Sequence, residues 1–242
     1  MTQAPIRKTH SVSRNSETPV KRYYADRLSA ERLKRCYEIA PKRVGQYLEA
    51  EIGHVMEFIE PSNCVLELGC GYGRVLDRLL GVAHSVTGID VSYDSLQYAR
   101  KTLGERGVHL TMMDAATLGF APSQFDVVVC IQNSLSAFKV DTPTLVRESM
   151  RVAKRGGLCL FATYSERFWD HRLEWFRLQS EEGLIGEIDW DHTREDIIRC
   201  KDGFKATTFS RNSLVKLTKS LGLAADIREV DESSLFWEIH VP

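Results

Sequence analysis

Paired-cysteine spacing is missing from this chain. The six cysteines stand at 36, 64, 70, 130, 159 and 200, and no two form a CxxC. That excludes a zinc ribbon and a thioredoxin-type redox pair, and reads as reduced thiols in a cytoplasmic protein. The seven histidines form no HxxxH or HxH, so no metal site is signalled and none is expected. No apolar run approaches the roughly 20 residues of a membrane helix. The opening stretch, MTQAPIRKTHSVSRNSETPVKRYY, has none of the apolar core of a secretory signal. A strong net charge is also missing: 32 basic residues face 33 acidic ones, a balance of -1. A protein built to neutralise phosphates over a broad surface carries more positive charge, which argues against nucleic acid as partner.

What is present is a chain of 242 residues, 43% of them apolar. That supports one α/β domain with a full core. Residues 1–18 are polar, rich in Ser and Thr, and read as a flexible tail; residues 19–242 read as a single domain. Residues 1–35 hold nine Lys/Arg and three Asp/Glu, a balance of +6, so the remainder carries -7. A solvated arm explains this basic start without a partner. Pro19 suits the first turn of a helix running through Leu28 and Leu33 toward Tyr37, interrupted at Pro41. A second helix is expected from Lys42 to Ile59, completing a helical cap over 19–60.

From residue 64 strands and helices alternate. CVLEL (64–68), SVTGID (85–90), VHLTMM (108–113), FDVVVCI (125–131) and LCLFATY (158–164) read as strands. They lack polar alternation, so both faces are buried, and the helices between them imply a parallel sheet. Helices are expected after residue 73, around Leu96–Leu103, over 142–154 and over 211–221. Two closing runs, 223–230 and 234–241, read as an antiparallel hairpin at the sheet's end. Residues 165–209 break the rhythm with aromatics and charges, and read as an insertion on the substrate side.

The most informative stretch is VLELGCGYGRVLDRL, 65–79. A strand ends in a loop with glycine at 69, 71 and 73, and a helix opens after it. Glycines let backbone approach a ligand closely. The next strand ends in Asp90, nineteen residues after Gly71, where a carboxylate can accept both hydroxyls of a ribose. Arg74 stands where the dinucleotide pattern GxGxxG has its third glycine, which disfavours an NAD-dependent dehydrogenase.

With Glu67 two residues ahead of the glycines, the loop resembles the first motif of the class I S-adenosylmethionine-dependent methyltransferases. GIDVS (88–92) and MDAATL (113–118) resemble that family's second and third motifs, and FDVVVCIQNSL (125–135) its fourth strand and active-site end. Arg43 to Tyr47 and the Asn133-Ser134 pair are similar to small-molecule members of the glycine N-methyltransferase type. The resemblance implies a doubly wound, mostly parallel sheet of seven strands. It implies S-adenosyl-L-methionine as cofactor and S-adenosyl-L-homocysteine as product.

The implied cofactor contacts are Arg43, Glu67, Gly69, Cys70, Gly71, Gly73, Asp90, Val91, Asp114, Ala115, Ile131 and Gln132, with Arg43 on the methionine carboxylate. Tyr164, Asn133 and His171 are the candidates for catalysis. Tyr24, Asn133, Arg167 and Trp169 are those for substrate binding. The expected reaction is methyl transfer to a small-molecule acceptor, an amine before an oxygen or sulfur, by a monomer or homodimer. Two rivals remain: an RNA methyltransferase anchored by the basic arm, and a cofactor-binding protein without catalysis. Against RNA stands Gln132-Asn133-Ser134-Leu135, where such enzymes carry an Asn-Pro-Pro-Tyr type of tetrad.

Overall fold

The computed structural model describes residues 23–104 and 106–242. The expected tail over 1–18 and the helix start at Pro19 lie outside the described residues. Five parallel strands form one half of the sheet: β1 (Cys64–Leu68), β2 (Ser85–Asp90), β3 (Val108–Met112), β4 (Phe125–Cys130) and β5 (Ala153–Tyr164). β8 (Ala224–Val230) and β9 (Ser234–His240) form the closing hairpin. The order is β3-β2-β1-β4-β5-β9-β8, with β9 antiparallel between β5 and β8. This is the seven-stranded, mostly parallel, doubly wound sheet that the strand–helix alternation implies. The strand order reverses between β1 and β4, and in open α/β sheets a ligand crevice forms there, beyond the carboxyl ends of the strands.

Alternate residues of each strand feed two separate cores. Val65, Val127, Val129 and Leu160 face α3 (Lys42–Met56), α4 (Arg74–Leu79) and α5 (Tyr93–Leu103). Leu66, Val128, Cys130 and Phe161 face α7 (Thr142–Val152) and α9 (Arg211–Leu221). Asp141 caps α7 by accepting from the Thr144 amide, and Ser92 caps α5 by accepting from the Ser95 amide.

A third core lies above the strand ends. Here α1 (Tyr23–Asp26), α2 (Ala30–Glu38) and the start of α3 pack on the insertion. The cap helix is broken rather than continuous, with Ala30 in a left-handed conformation at φ 48°. The insertion is also more regular than its sequence suggests. It forms α8 (Trp169–Glu181) and a small hairpin, β6 (Ile197–Arg199) with β7 (Lys205–Thr207). The four-residue helix α6 (Ser134–Ala137) sits between β4 and α7. Among the described residues, no helix is long and apolar enough to cross a membrane, and no cluster of His, Cys, Asp and Glu is arranged to hold a metal ion.

Candidate functional site

The ends of β1, β2 and β3 form one wall of a cavity of about 1080 Å³. Gly69, Gly71 and Gly73 all have positive φ, at 74°, 52° and 91°. A Cβ on Gly69 would lie 2.5 Å from the Phe138 ring, and one on Gly73 would lie 2.8 Å from Leu103. These two glycines are therefore required by packing as well as by backbone angle. Gly71 is different: its Cβ would meet only Leu33 of α2, at 3.0 Å, so its open side faces the ligand crevice. The loop is tied to β2, because the Gly69 and Cys70 amides both donate to the Ile89 carbonyl.

Asp90 accepts from the Gly71 amide at 2.9 Å and from the Ser92 amide at 2.8 Å. It thus fixes the loop while lining the cavity beside Val91. Burial raises its pKa above the ordinary carboxylate value. Asp114 accepts from the Ala116 amide at 2.8 Å, and with Ala115 it lines the same end of the cavity.

Beneath the loop is a small recess of about 40 Å³. Three buried polar atoms around it have no partner among the described residues: Glu67 Oε2, Arg74 Nε and Gln132 Nε2. Burial pushes the Glu67 carboxyl up to about 8, partly opposed by Arg74. Gln132 sits in a left-handed conformation, φ 58°, its amide donating to the buried Glu51 carboxylate at 2.7 Å. Its side-chain oxygen accepts from the Tyr37 hydroxyl at 3.0 Å.

The far half of the cavity is aromatic, with Tyr24, Tyr47, Tyr164, Trp175 and Phe176 in its lining. Burial pushes the Tyr164 phenol up to about 12 and also raises Tyr24 and Tyr47. These tyrosines are neutral hydroxyls at physiological pH.

Residues 65–157 match a family model described as a methyltransferase domain. A ubiquinone biosynthesis O-methyltransferase of Thiobacillus denitrificans is 35% identical over 102 residues, which is 41% of this chain and 43% of that one. The chain therefore spans less than half the length of that curated relative. A protein of Pyrococcus horikoshii shares the fold with a TM-score of 0.59 at 21% identity, over 91% of this chain and 98% of that one. A SAM-dependent methyltransferase of Methanosarcina mazei does so with a TM-score of 0.57 at 19% identity, over 78% and 97%.

The geometry of the site fits the cofactor that the matched family implies. Glu67 Oε2 and Arg74 Nε, the free atoms of groups in the recess, have the chemistry to take an amino acid's ammonium and carboxylate, although the rest of the Arg74 guanidinium donates to Glu49 and to the Leu48 carbonyl. The cavity above it, with Asp90 and Asp114, has room for a nucleoside.

The residues singled out from sequence divide clearly. Tyr24, Gly69, Gly71, Asp90, Val91, Asp114, Ala115, Gln132 and Tyr164 line the cavity. Glu67, Cys70 and Ile131 line the recess. Cys70 is buried and its thiol is held well above its usual pKa by burial, so it is no nucleophile. Gly73 lines neither and serves as the left-handed turn into α4.

Five others line neither the cavity nor the recess and have partners elsewhere. Arg43 donates to the Asp231 carboxylate at 2.7 Å and lies over the Phe168 ring, away from the glycine loop. Asn133 is buried: its amide donates to the Thr207 carbonyl and its oxygen accepts from the Thr163 hydroxyl, both at 2.9 Å. Arg167 is exposed and pairs with Glu232. His171 is exposed, with its ring against Phe168. Trp169 stands behind the cavity wall, against Arg172. The reading of the sequence missed Tyr37, which carries no motif; Tyr47 closes the Arg43–Tyr47 stretch, and Trp175 and Phe176 fall among the insertion's aromatics. Arg74 had a signal, since it directly follows the last loop glycine.

Proposed function

We propose that this chain is an S-adenosylmethionine-dependent methyltransferase acting on a small-molecule acceptor. The observation that carries this reading is the continuity of the cavity. Gly71, Asp90 and Asp114 line one end, Tyr24, Tyr164 and Trp175 line the other, and nothing separates them. A donor held at one end and an acceptor at the other share one continuous space, and holding two reactants in line is worth about 7–11 kcal/mol of barrier. The cofactor supplies an electrophilic methyl group when bound. The chain's own part is to hold donor and acceptor and to exclude water.

Glu67, Arg74 and Gln132 are proposed to take the amino acid end, Asp90 the ribose, and Asp114 with Ala115 the base. The aromatic walls and the cap helices exclude water. The sequence favours an amine as acceptor, whereas the printed name of the Thiobacillus relative favours oxygen. A cavity, and a net charge of -1 rather than a broad basic surface, support a small acceptor over RNA.

Calorimetry with S-adenosylhomocysteine, followed by methyl transfer across a panel of small amines, phenols and thiols, tests the proposal. Tight binding with transfer to one panel class is expected. Binding without transfer would leave a cofactor-binding protein without catalysis. Absence of binding would refute the reading altogether.

A further inference from the structure

Two tyrosines in the aromatic half of the cavity lead to a buried acid. Glu51, on α3, is 0% exposed and forms no ion pair with a described residue. Its oxygens accept from the Ser234 hydroxyl at 2.6 Å and from the Gln132 amide at 2.7 Å. Tyr47 precedes it by one turn on the same face of α3 and is also 0% exposed. The Tyr47 hydroxyl comes near both the Glu51 carboxyl and the Tyr164 hydroxyl, yet closes a hydrogen bond with no described residue. The Tyr47 and Tyr164 rings lie 5.2 Å apart, and both residues line the cavity. A buried hydroxyl left without a partner is costly, and one beside a carboxyl is placed to pass a proton.

Burial raises the Glu51 carboxyl to about 7, while Ser234, Gln132, Arg74 and Tyr47 favour its ionised form. Cys130, on β4, also faces Glu51 and stays a neutral thiol, because burial raises it. Arg172 does not line the cavity, but its guanidinium lies 4.8 Å from the Tyr164 ring, where it partly opposes the rise that burial brings to that phenol. Other bases are poorly placed. Among the described residues, no histidine lines the cavity. Asp90 and Asp114 are at the glycine-loop end and accept backbone amides. Lys139 and Lys205 line the cavity with exposed side chains.

We infer that Tyr164, Tyr47 and Glu51 form a proton relay that takes the hydroxyl proton of the acceptor as it is methylated. This rests on the methyltransferase reading and narrows it to an oxygen acceptor. In the transfer, a lone pair of the acceptor oxygen forms the bond to the methyl carbon, and the carbon–sulfur bond breaks with its electrons going to sulfur. The acceptor's proton passes to the Tyr164 oxygen, the Tyr164 proton to Tyr47 and the Tyr47 proton to Glu51. One sulfonium charge and one carboxylate charge are lost together, so the charges balance. The proton leaves Glu51 by the same path once the product has gone. Tyr164 touches the acceptor and is the catalytic residue; Tyr47 and Glu51 act through it. A neutral amine attacks with a free lone pair and needs no such path, whereas a phenol does.

The test uses the full chain, S-adenosylmethionine and two probes: phenol, protonated near neutral pH, and 4-nitrophenol, which ionises unaided. With phenol, kcat/KM is expected to rise with pH through about 7, as Glu51 ionises. Glu51→Gln and Tyr47→Phe should each lower transfer to phenol roughly hundredfold or more and flatten that rise, yet lower transfer to 4-nitrophenol little. Lys139→Met, which removes a rival base, should keep the rise. A second readout needs no turnover. Infrared difference spectra of wild type against Glu51→Gln isolate the Glu51 carboxyl, and Tyr47→Phe should raise its midpoint, because a donor to the carboxylate form has gone.

Equal losses on the two probes, a rise that survives Glu51→Gln or disappears in Lys139→Met, or a midpoint unmoved by Tyr47→Phe would each overturn the relay. So would transfer to amines of the panel with none to either phenol. S-adenosylhomocysteine is titrated into every sample. If it binds while any of these results is found, the relay is wrong and the methyltransferase reading stands. If the wild type does not bind it, the methyltransferase reading fails, and the relay fails with it.

Discussion

Glu67 and Asp90 stand on adjacent strands, both buried and both held above the usual carboxylate pKa by desolvation. They differ in their partners. Asp90 already accepts two backbone amides, whereas one oxygen of Glu67 has nothing. At about 8, the Glu67 carboxyl is mostly protonated at pH 7. An ammonium group brought beside it favours the ionised form, so binding should expel a proton. Calorimetry of S-adenosylhomocysteine in two buffers of different ionisation enthalpy should show that release, and Glu67→Gln should abolish it. A wild-type heat independent of buffer would remove Glu67 from the ammonium's site. Asp90→Ala strips an acceptor from two amides. Bonds to a charged group contribute about 1.5–3 kcal/mol each, so cofactor affinity should fall by at least that much. Asp90→Asn retains the shape and one acceptor, and should lose less.

At the scale of elements, the left-handed Asn133 ties β4 to β5 and to the β6–β7 hairpin through its two amide bonds. Asn133→Gly satisfies the backbone angle yet removes both bonds. It should cost about 1–3 kcal/mol in urea unfolding, and amide exchange should speed up across Lys205–Thr207. Unchanged exchange there would show that the hairpin is held by its apolar contacts alone. Over the glycine loop, Gly71→Ala faces a strained φ of 52° and only the flexible end of Leu33. The strain outweighs the contact, so adding Leu33→Ala should not restore cofactor binding.

The same elements show what is legible in a sequence. Strands buried on both faces, the loop 69–73 and Asp90 are visible because each obeys a local rule. Helix α8 is not. Its inward residues are Arg172, Trp175, Phe176 and Gln179, and two of those four are polar. The apolar stripe that betrays a helix is therefore broken at Arg172 and Gln179. Asn133 and Arg43 carry family-like positions, but their side chains are taken by Thr207 and Asp231, partners far away in sequence that no local pattern reveals.

For the whole molecule, two buried acids point the same way. Burial raises Glu51 to about 7 and Glu67 to about 8, above their ordinary values near 4.5. The folded state therefore binds protons more tightly than the unfolded one. The stability these protons contribute is complete below about pH 4.5 and is lost as pH rises through about 7 and 8. In Glu51→Gln, the melting temperature should fall less steeply over that window than in the wild type. A slope identical to wild type would show that Glu51 does not carry its share. Glu51 links the third core to the sheet, accepting from the Ser234 hydroxyl at 2.6 Å as well as from Gln132. The effect should therefore appear in global unfolding rather than in fraying of one helix.

The position of β9 between β5 and β8 also gives the sheet a history. Residues 234–240 are interior in space but late in order of synthesis. A nascent chain on the ribosome presents the edge of β5 with its backbone groups unpaired until the whole segment from Ser165 to Ser233 has been made. An open edge is a template for any neighbouring chain, and the pairing that closes it is distant in sequence and slow to form. The period of greatest exposure to aggregation, or to exchange of the β8–β9 hairpin between copies, is therefore set by translation and ends when that last strand is inserted.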